Sequence, residues 1–270
     1  MGGNKQELLQ KKKRILLLGS RGFLGRVLVQ KLENNSELWH GTRENLGNLA
    51  SLSEVNFDFV INAMASQPSA SAEEAFLSNF YLPKVLLESL NFAKWIQLNS
   101  YFQLQIPMGR SDPYTLSKEE FKALLDDNRE SVDFEVAHIY LPYLFGTGDK
   151  VTRLIASARL SLQKKEMLRT SEGYQQIPIL FSEDAALGII KFLENPVGTA
   201  ACCPFWYGTA RELILAMAAQ FQDSRVAFGV FPHSIDYDYP KVSFPNCVQN
   251  WSPTMDWRKF LMWVEGKTCE

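Results

Sequence analysis

The chain has 270 residues, of which 46% are hydrophobic and 21% charged, and its formal net charge is −2. This length fits one large domain or a domain with a smaller lobe, and the balanced charge excludes a basic surface for nucleic acid. No apolar run reaches the ~18 residues of a membrane span, and Ile15 to Leu18 is too short for the core of a signal peptide. We therefore expect a cytoplasmic globular protein whose partners include neither a membrane nor a nucleic acid.

Side chains that could bind a metal are few and scattered. The chain contains four cysteines and three histidines, which are Cys202, Cys203, Cys247, Cys269, His40, His138 and His233. They form no C-x-x-C pair and no closely spaced histidine pair, and the adjacent Cys202 and Cys203 cannot easily bridge. The sequence therefore predicts no metal site, no disulfide framework and a reducing compartment.

The first half of the chain alternates short apolar runs with helical patterns. Strands are predicted at 14–18, 38–41, 57–64, 94–98 and 134–141. Helices are predicted at 25–33, at 73–91 with a kink at Pro83, and from Asp112-Pro113 to about 127. This alternation indicates parallel β-α units, and hence an α/β fold with a doubly wound parallel sheet.

The pattern changes after residue 146. Three further helices are predicted, near 151–163, 182–194 and 210–221. The last stretch is rich in Pro, Trp and Tyr and shows no clean periodicity. We expect one domain over 11–145 and a smaller C-terminal substrate lobe over 146–270, with elements near 182–205 returning to the sheet.

Three glycines separate the first predicted strand from the first predicted helix, in the segment Gly19-Ser-Arg-Gly22-Phe-Leu-Gly25. Glycines here permit a tight turn, let backbone N–H groups approach a pyrophosphate at the helix N-terminus, and allow the helix to pack closely on the strand. The domain over 11–145 is therefore predicted to be a Rossmann-type dinucleotide-binding domain. Its expected cofactor contacts are Gly19, Ser20, Arg21, Gly22, Phe23, Leu24 and Gly25.

The residues after the second predicted strand bear on the choice of cofactor. An enzyme that uses NAD usually carries Asp or Glu here to bind the ribose hydroxyls, whereas this chain has Thr42-Arg43. A carboxylate would repel a 2′-phosphate, and a guanidinium can bind it through two hydrogen bonds. Thr42 and Arg43, aided by Arg21, therefore predict NADP rather than NAD.

A serine, a tyrosine and a lysine form the predicted catalytic group. Tyr114 and Lys118 are four residues apart in a predicted helix and so share a face, and Ser100 follows the strand at 94–98. A cation about 5 Å from the phenol would lower the pKa of Tyr114 by about two units, toward useful acid–base chemistry. A hydroxyl at Ser100 can hold a substrate carbonyl beside the tyrosine.

The G-x-x-G-x-x-G spacing, followed by Ser, Tyr and Lys in that order, resembles the extended branch of the short-chain dehydrogenases/reductases, the NAD-dependent epimerase/dehydratase family. The similarity covers about residues 14–195. It implies an oxidoreductase with further cofactor contacts from the strand end at 60–65, the helix that follows, the strand before Ser100 and the segment before the 145–149 turn. The residues assigned in this way are Ala63, Met64, Ala65, Asn79, Leu98, Leu141 and Pro142, besides Tyr114 and Lys118.

Within that family, the chain most resembles nucleotide-sugar reductases and epimerases. Segments 42–43, 98–100 and 114–121 are similar to those of enzymes that act on CDP-linked 4-keto sugars, and segment 61–63 is similar to that of dTDP-4-dehydrorhamnose reductase. The resemblance implies substrate contacts from Ser100, Tyr101 and Phe102. A 4,6-dehydratase would need an Asp-Glu pair in place of Tyr101-Phe102. An epimerase that inverts carbons beside a ketone would need a Cys or His pair. The favoured activity is therefore NADPH-dependent reduction of a nucleotide-linked 4-keto-6-deoxyhexose, with Tyr114 as proton donor.

Two alternatives stay open: a 4-epimerase that holds NAD and needs only the same three residues, and a non-catalytic NADP-binding sensor or partner subunit. Many relatives bind the substrate diphosphate with an arginine in a Gln-x-Arg-Asp strand, whereas this chain has Gln175-Gln-Ile-Pro178. Arg153, Arg159 or Arg169 could take the place of that arginine, but each is interpreted as a solvated charge on a helix face or loop. Dimers are common among relatives, so the resemblance also implies a possible homodimer.

Overall fold

The computed structural model describes residues 12–42, 49–127, 134–232 and 241–267. Strands and helices alternate as far as Leu141. The strands are β1 (Lys13–Leu18), β2 (Ser36–Gly41), β3 (Asn56–Asn62), β4 (Asn91–Ser100) and β5 (Glu135–Leu141). The helices are α1 (Phe23–Leu32), α2 (Leu49–Ser53), α3 (Ala72–Phe76), α4 (Leu82–Ser89) and α5 (Pro113–Asp127).

The second half of the chain is built from shorter strands and four helices in the described residues. The strands are β6 (Tyr143–Phe145), β7 (Leu168–Arg169), β8 (Gln176–Phe181), β9 (Gly198–Ala201), β10 (Trp206–Thr209) and β11 (Val226–Ala227). The helices are α6 (Leu154–Gln163), α7 (Ser182–Phe192), α8 (Ala210–Ala218) and α9 (Trp257–Glu265). No helix in the described ranges is both long enough and apolar enough to cross a lipid bilayer.

Six strands form one sheet in the order β2-β1-β3-β4-β5-β9, and each neighbouring pair is parallel. The chain passes outward from β1 to β2 and then crosses to β3 on the other side of β1, so the strand order reverses at β1. In open α/β sheets this reversal leaves a crevice at the carboxyl ends of the strands, where ligands bind. The predicted doubly wound parallel sheet is confirmed.

Helices cover both faces of this sheet, which explains the continuous apolar run in β1. Successive side chains of a strand point to opposite faces. Leu17 packs in a core with Leu28 of α1 and Ile189 of α7. Leu16 packs on the other face, in a core that contains Leu86 of α4 and Phe121 of α5. Because both faces of β1 are buried, its apolar side chains do not alternate with polar ones.

The helix predicted over 73–91 is interrupted by a π-helical turn over Leu77–Tyr81, between α3 and α4 and just before Pro83. The Leu82 N–H donates to the Leu77 carbonyl, one residue further back than in an α-helix. Proline has no N–H to donate, and the wider turn accommodates it near the start of α4. The same turn carries the buried Asn79.

A smaller lobe follows β5. Its three-stranded sheet has the order β10-β8-β6, and its core contains Phe145, Met217 and Phe260. Helix α9 was not predicted, because the aromatic residues around it mask the helical spacing of Trp257, Phe260 and Val264. In the structure Trp257 and Phe260 stack with ring centroids 5.3 Å apart, which places this helix in the lobe core.

Part of the second half packs against the large sheet. Helix α7 lies beside α1, and β9 extends the sheet by pairing with β5. The backbone of Ala201, at the end of β9, also exchanges hydrogen bonds with the segment at 246–248. The division of the chain at residues 145 and 146 into two domains stays a prediction.

The predicted absence of disulfides is wrong for one pair: Cys203 is bonded to Cys247, and Cys202 is free and buried. The two cysteines are 44 residues apart in sequence. They meet because Cys247 lies in a bridge with Ala201 at the end of β9. Sequence spacing carries no information about this meeting, since it depends on tertiary pairing at the sheet edge.

Candidate active site

A cleft of about 1010 Å³ lies between the carboxyl ends of the sheet strands and the smaller lobe. The predicted site residues that line it are Arg21, Gly22, Phe23, Leu24, Ala63, Met64, Ala65, Leu98, Ser100, Tyr101, Phe102, Tyr114, Lys118, Leu141 and Pro142. Ser20 and Thr42 line a second, adjoining cavity. Gly19, Gly25 and Asn79 line neither cavity, and Arg43 lies outside the described residues.

Two positions in the turn between β1 and α1 require glycine, because a side chain there would clash with the backbone. Gly19 has a φ of +77°, and a Cβ there would lie 2.9 Å from the backbone of Ala63. A Cβ on Gly25 would lie 2.1 Å from the Gly19 carbonyl oxygen. Gly22 precedes α1 and supplies no side chain to cap it, so the first N–H groups of the helix remain available to an anion.

An unpartnered polar atom supports a ligand at this turn. The Ser20 hydroxyl is buried and has no hydrogen-bond partner among the described residues. Buried hydroxyls normally have one, and a phosphate or ribose oxygen would provide it. The turn therefore fits a dinucleotide both in its shape and in its donors.

The second cavity has a volume of about 500 Å³ and lies beside the end of β2. It is lined by Ser20, Arg21, Arg26, Val29, Gln30, His40 and Thr42. Sequence reasoning missed Arg26, Gln30 and His40. The spacing of residues 26 and 30 along α1, one turn apart, is the signal that could have identified them, because it places both side chains on the same face of the helix.

Helix α5 positions the predicted tyrosine and lysine. Asp112 caps this helix, accepting a hydrogen bond from the Thr115 N–H at 3.0 Å. Tyr114 therefore lies in the first turn and lines the cleft together with Ser100. Lys118 lies one turn later, and its Nζ is 6.0 Å from the centroid of the Tyr114 ring. The structure thus brings Ser100, Tyr114 and Lys118 together at one wall of the cleft.

The Ser100 hydroxyl is held by the short helical segment that follows β4. Ser100 Oγ accepts from the Phe102 N–H at 3.3 Å, and the Ser100 N–H donates to Gln103 Oε1 at 2.8 Å. This reciprocal arrangement is a capping box. Gln103 in turn donates to Glu119 of α5 at 2.9 Å. The segment that carries Ser100 is therefore tied to the helix that carries Tyr114.

Burial dominates the proton equilibria of Tyr114 and Lys118. It raises the pKa of Tyr114, and the hydrogen bond from Ser100 and the positive charge of Arg153 oppose this rise. It lowers the pKa of Lys118 to about 8. The Lys118 Nζ donates to the Leu98 carbonyl at 3.0 Å. Burial thus shifts both groups toward their uncharged forms, and the lowering of the Tyr114 pKa by Lys118 stays a prediction.

Tyr101 and Phe102 form the wall beside Ser100. The side chain of Tyr101 is only 4% exposed. Phe102 meets the Tyr114 ring edge-on with centroids 6.0 Å apart, and the guanidinium of Arg110 lies 3.5 Å from its centroid. Arg110 is buried and forms an ion pair with Asp112 at 2.5 Å. This wall combines aromatic surface with one buried charge pair.

Asn79 lies behind the cleft rather than on it. Its amide oxygen accepts from the Ser66 N–H at 3.0 Å, and its amide nitrogen donates to Ser117 at 3.0 Å and to Ser66 Oγ at 3.2 Å. These bonds join the segment after β3 to α5. In this structure Asn79 therefore supports the cleft walls from behind, and its assignment as a direct cofactor contact gains no support.

Arg153 is not a surface charge, so that prediction is wrong. It is the residue before α6, where an extended backbone directs its side chain away from the helix and into the cleft. Its Nη1 donates to Asp149 at 2.9 Å, and its guanidinium lies 4.5 Å from the Tyr143 ring centroid and 5.7 Å from that of Phe23. The spacing of Asp149 and Arg153, i and i+4 after the 145–149 turn, is the signal that could have found it.

The other two arginines belong to the lobe. Arg159 stacks on Trp263 at 4.3 Å, and Arg169 is exposed. Gln175, at the start of the segment compared above with the Gln-x-Arg-Asp strand of relatives, lines the cleft. Its Oε1 is buried and has no hydrogen-bond partner in the part of the chain that the structure describes. Gln175 therefore offers an acceptor to a ligand in the lobe half of the cleft.

Histidine, cysteine and acidic side chains that could bind a metal do not cluster in the part of the chain that the structure describes. No group of three or more His, Cys, Asp or Glu side chains comes together there. His138 is fully buried in β5 and contacts Asn99 at 3.2 Å and Asp126 at 3.1 Å. It is a histidine of the core whose two ring nitrogens are both engaged.

With the glycine turn, the cleft and its Ser100, Tyr114 and Lys118 wall described, the chain can be compared with known protein families. Residues 15–201 match the model of the NAD dependent epimerase/dehydratase family. The chain belongs to this family. It is accordingly an NAD(P)-dependent enzyme of the short-chain dehydrogenase/reductase type, and the glycine turn and Ser20 fit the nucleotide that such enzymes bind.

Solved structures share the fold over nearly their whole length. UDP-N-acetylglucosamine 4-epimerase from Methanobrevibacter ruminantium, in complex with UDP-N-acetylmuramic acid, is 18% identical, with a TM-score of 0.73 over 95% of this chain and 97% of that one. RMD from Pseudomonas aeruginosa, complexed with NADPH, is 17% identical, with a TM-score of 0.74 over 94% and 98%.

A third structure carries the other cofactor. UDP-glucuronic acid 4-epimerase from Bacillus cereus, with UDP-glucuronic acid and NAD, is 14% identical, with a TM-score of 0.74 over 93% and 98%. No curated protein sequence matches this chain. The family member described here thus shares its fold with proteins bound to either nicotinamide cofactor.

Proposed function

We propose that this enzyme is an NADPH-dependent reductase that acts on the keto group of a nucleotide-linked sugar of the 4-keto-6-deoxyhexose class. The observation that carries the proposal is that Ser100, Tyr114 and Lys118 line one cleft, with the Lys118 Nζ 6.0 Å from the centroid of the Tyr114 ring and the Ser100 hydroxyl acting to lower the Tyr114 pKa. This is the arrangement needed to hold a carbonyl oxygen and to protonate it.

The glycine turn is proposed to hold the cofactor pyrophosphate at the start of α1. The strand ends at Ala63–Ala65 and at Leu98, with Leu141 and Pro142 opposite them, form the walls for the nicotinamide half. NADPH, when bound, supplies the hydride. The chain's own part is to orient the ring against the carbonyl and to exclude water from between them.

The proton is proposed to come from Tyr114. Ser100 donates a hydrogen bond to the carbonyl oxygen and so fixes it beside the phenol. As the carbon accepts hydride, the oxygen takes the Tyr114 proton and becomes a hydroxyl. Lys118, one helical turn from Tyr114 and also in the wall of the cleft, is proposed to bind the nicotinamide ribose.

The preference for NADP rests on the second cavity. None of the seven described residues that line it is acidic, and two of them, Arg21 and Arg26, carry guanidinium groups. A carboxylate in this position would favour ribose hydroxyls, and arginines favour a 2′-phosphate. We therefore expect kcat/KM to be higher for NADPH than for NADH. Arg21→Ala should reduce the difference between the kcat/KM values for the two cofactors.

The substrate class rests on the size and polarity of the cleft. Its volume of about 1010 Å³ exceeds the need of the nicotinamide half alone. Its lobe side presents Gln175, Gln176 and Arg153, which suit the hydroxyls and phosphates of a sugar nucleotide. The three solved relatives named above include two that were determined with UDP-sugars.

The test is to supply NADPH that carries deuterium on the transferred position, with a panel of 4-keto-6-deoxy sugar nucleotides. Reduction predicts one NADPH consumed per product and deuterium on the new carbinol carbon. A 4-epimerase with tightly held NAD is the second candidate, favoured by the 4-epimerases among the similar structures. It predicts inversion of an ordinary UDP-sugar without net NADPH consumption, and that result would replace the reductase proposal.

A homodimer is also proposed. The helix from α3 to α4 exposes Leu77, Tyr81 and Val85, which are 57%, 56% and 46% exposed. They lie four residues apart and so form one apolar stripe. Sedimentation analysis measures the assembly, with Tyr81→Glu expected to shift the protein to monomer and the exposed Leu187→Glu, on α7, as the matched control.

A further inference from the structure

A glutamine outside the cleft is bonded on one side to Ser100 and on the other side to helix α5. Gln103 Oε1 accepts a hydrogen bond from the Ser100 N–H at 2.8 Å, and Gln103 Nε2 donates one to Glu119 Oε2 at 2.9 Å. Gln103 is only 4% exposed. Neither Gln103 nor Glu119 lines the cleft or the second cavity. Any effect of this pair on a bound ligand therefore passes through other residues.

The two partners of Gln103 fix the orientation of its amide. A backbone N–H can only donate a hydrogen bond, and an ionised carboxylate can only accept one. The amide oxygen therefore has to face Ser100, and the amide nitrogen has to face Glu119. A carboxylate at position 103 would repel Glu119, and an apolar side chain would leave both partners unsatisfied. This position thus requires a neutral side chain that accepts one hydrogen bond and donates another.

The bond to Glu119 goes beyond what the cap of the short helical segment Tyr101–Met108 requires. The capping box is complete once the Ser100 N–H donates to Gln103 and the Ser100 hydroxyl accepts from the first turn of that segment. Glu119 is 16 residues further along the chain, on the helix that carries Tyr114. The additional bond therefore joins the predicted catalytic serine to the helix of the predicted catalytic tyrosine.

The cap also determines how the Ser100 hydroxyl can be used. Its oxygen accepts a hydrogen bond from the Phe102 N–H at 3.3 Å. A hydroxyl has one proton to donate and two lone pairs, so this bond occupies a lone pair and leaves the proton for another acceptor. Ser100 lines the cleft, where a substrate carbonyl is such an acceptor. The backbone position of Ser100, which Gln103 holds, then sets where that proton is offered.

We infer that Gln103 is a positioning residue for the reaction at Ser100: held by Glu119 on α5, its amide sets the distance between the Ser100 hydroxyl and Tyr114. The inference rests on the proposed function, since it concerns the carbonyl that the two hydroxyls are proposed to bind. As the carbonyl carbon receives hydride from NADPH, its oxygen gains negative charge, takes the Tyr114 proton and becomes a hydroxyl. A displaced Ser100 hydroxyl loses its bond to that oxygen mainly in the transition state.

A separate connection keeps the end of β4 attached to α5 when the Gln103 amide is removed. The Asn99 amide contacts His138 Nδ1 at 3.2 Å, and His138 Nε2 contacts Asp126 Oδ1 on α5 at 3.1 Å. Asn99 and His138 are both buried. We therefore expect the loss of the Gln103 amide to loosen Ser100 without detaching the strand from the helix.

The test compares the effect of Gln103→Met in two backgrounds. Methionine is close to glutamine in length but has no amide. With the 4-keto-6-deoxy sugar nucleotide that the wild type reduces fastest, we expect Gln103→Met to lower kcat about tenfold and to change KM by less than about threefold. In the Ser100→Ala protein, measured under single-turnover conditions, the same substitution should change the rate by less than about twofold, because the hydroxyl that Gln103 positions is absent.

Glu119 offers a conservative variant and its neighbour a matched control. Glu119→Ala should lower kcat about threefold, whereas Glu119→Gln should keep it within about twofold of wild type, since an amide oxygen can still accept from Gln103. Glu120 is the next residue of the same helix and is exposed. Glu120→Ala should leave kcat unchanged, and thermal melts of every variant report folding.

Two results would overturn the inference in the turnover experiment. One is an unchanged kcat for Gln103→Met in the wild-type background. The other is an equal fall in rate in the wild-type and Ser100→Ala backgrounds, which would show that the substitution disturbs the site in general rather than through the serine.

Urea denaturation measures the bond between Gln103 and Glu119 without turnover. The Gln103→Met/Glu119→Ala double variant should lose less stability than the sum of the losses in the two single variants, because the shared bond is removed only once. Additive losses would overturn the inference. Failure of the wild type to oxidise NADPH with every sugar nucleotide would refute the proposed function and the role of Gln103 in turnover, whereas the urea measurement would still show whether Glu119 holds Gln103.

Discussion

The buried ammonium of Lys118, a predicted catalytic residue, lowers the free energy of unfolding of the protein. Its ammonium is buried with one hydrogen bond, to the Leu98 carbonyl. Because the folded state lowers its pKa to about 8 from the ordinary 10.5, the unfolded chain holds the proton more tightly. The cost to stability is therefore complete below pH 8 and disappears as pH rises toward 10.5. A shift of this size corresponds to roughly 3 kcal/mol.

We predict that Lys118→Met stabilises the fold while it abolishes turnover. At pH 7 the gain in unfolding free energy should be about 2 kcal/mol, since the lost hydrogen bond offsets about 1 kcal/mol. The gain should shrink as pH rises from 8 to 10. Urea denaturation of both proteins at pH 7 and pH 9.5 measures it. A variant that is less stable than wild type at pH 7 would contradict the burial argument.

At the scale of one element, helix α5 begins at a residue with two tasks. Asp112 caps the helix through the Thr115 N–H, and it pairs with Arg110, which is 3% exposed. Tyr114 lies in the turn that this cap fixes. The position of the phenol therefore depends on a carboxylate that never touches it.

We predict that Asp112→Ala destabilises the protein by about 3–5 kcal/mol, because it removes the cap and leaves the Arg110 charge buried without its partner. Asp112→Asn is the matched control, since asparagine caps as well as aspartate. It should cost less than the alanine variant and retain more of the turnover. Equal stability of the two variants in urea would show that the ion pair contributes nothing.

At the scale of the whole molecule, the disulfide between Cys203 and Cys247 links two distant segments at the edge of the large sheet. This bond holds the segment at 246–248 against the end of β9, where the chain leaves the sheet for β10 of the lobe. A cross-link over 44 residues restricts the unfolded chain more than the folded one. Its expected contribution on this entropy model is about 4 kcal/mol.

We predict that reductant lowers the melting temperature of the wild type and has no effect on the Cys203→Ser/Cys247→Ser double variant. Peptide mapping without reduction should recover the two cysteines in one linked pair. Recovery of unlinked peptides that carry Cys203 and Cys247 from freshly purified protein would contradict the bond.

Local patterns in the sequence were sufficient to predict the framework of the site. The strand, glycine turn and helix at 13–32 follow from consecutive residues, and the cap at Asp112 sets the start of α5. The order of Ser100, Tyr114 and Lys118 gives the triplet, because strand ends and helix starts meet at one edge of a parallel sheet. These features depend on short-range geometry, which spacing records.

Features that depend on distant contacts were missed or misjudged. Arg153 belongs to the cleft only because the 145–149 turn folds back toward Phe23, and Cys247 reaches Cys203 only through pairing at the sheet edge. Asn79 was expected at the cofactor, but a π-helical turn buries it behind the wall. The predicted contact of Arg43 with a 2′-phosphate lies outside the described residues. The cytoplasmic location stays a prediction.

The central claim is that the Tyr114 hydroxyl gives its proton to a keto sugar. It is tested most directly by the rate of NADPH oxidation with a 4-keto-6-deoxy sugar nucleotide, compared between wild type and Tyr114→Phe. The account predicts a fall in kcat of about a hundredfold or more, with the affinity for NADPH changed little. An unchanged kcat in the phenylalanine variant would contradict it.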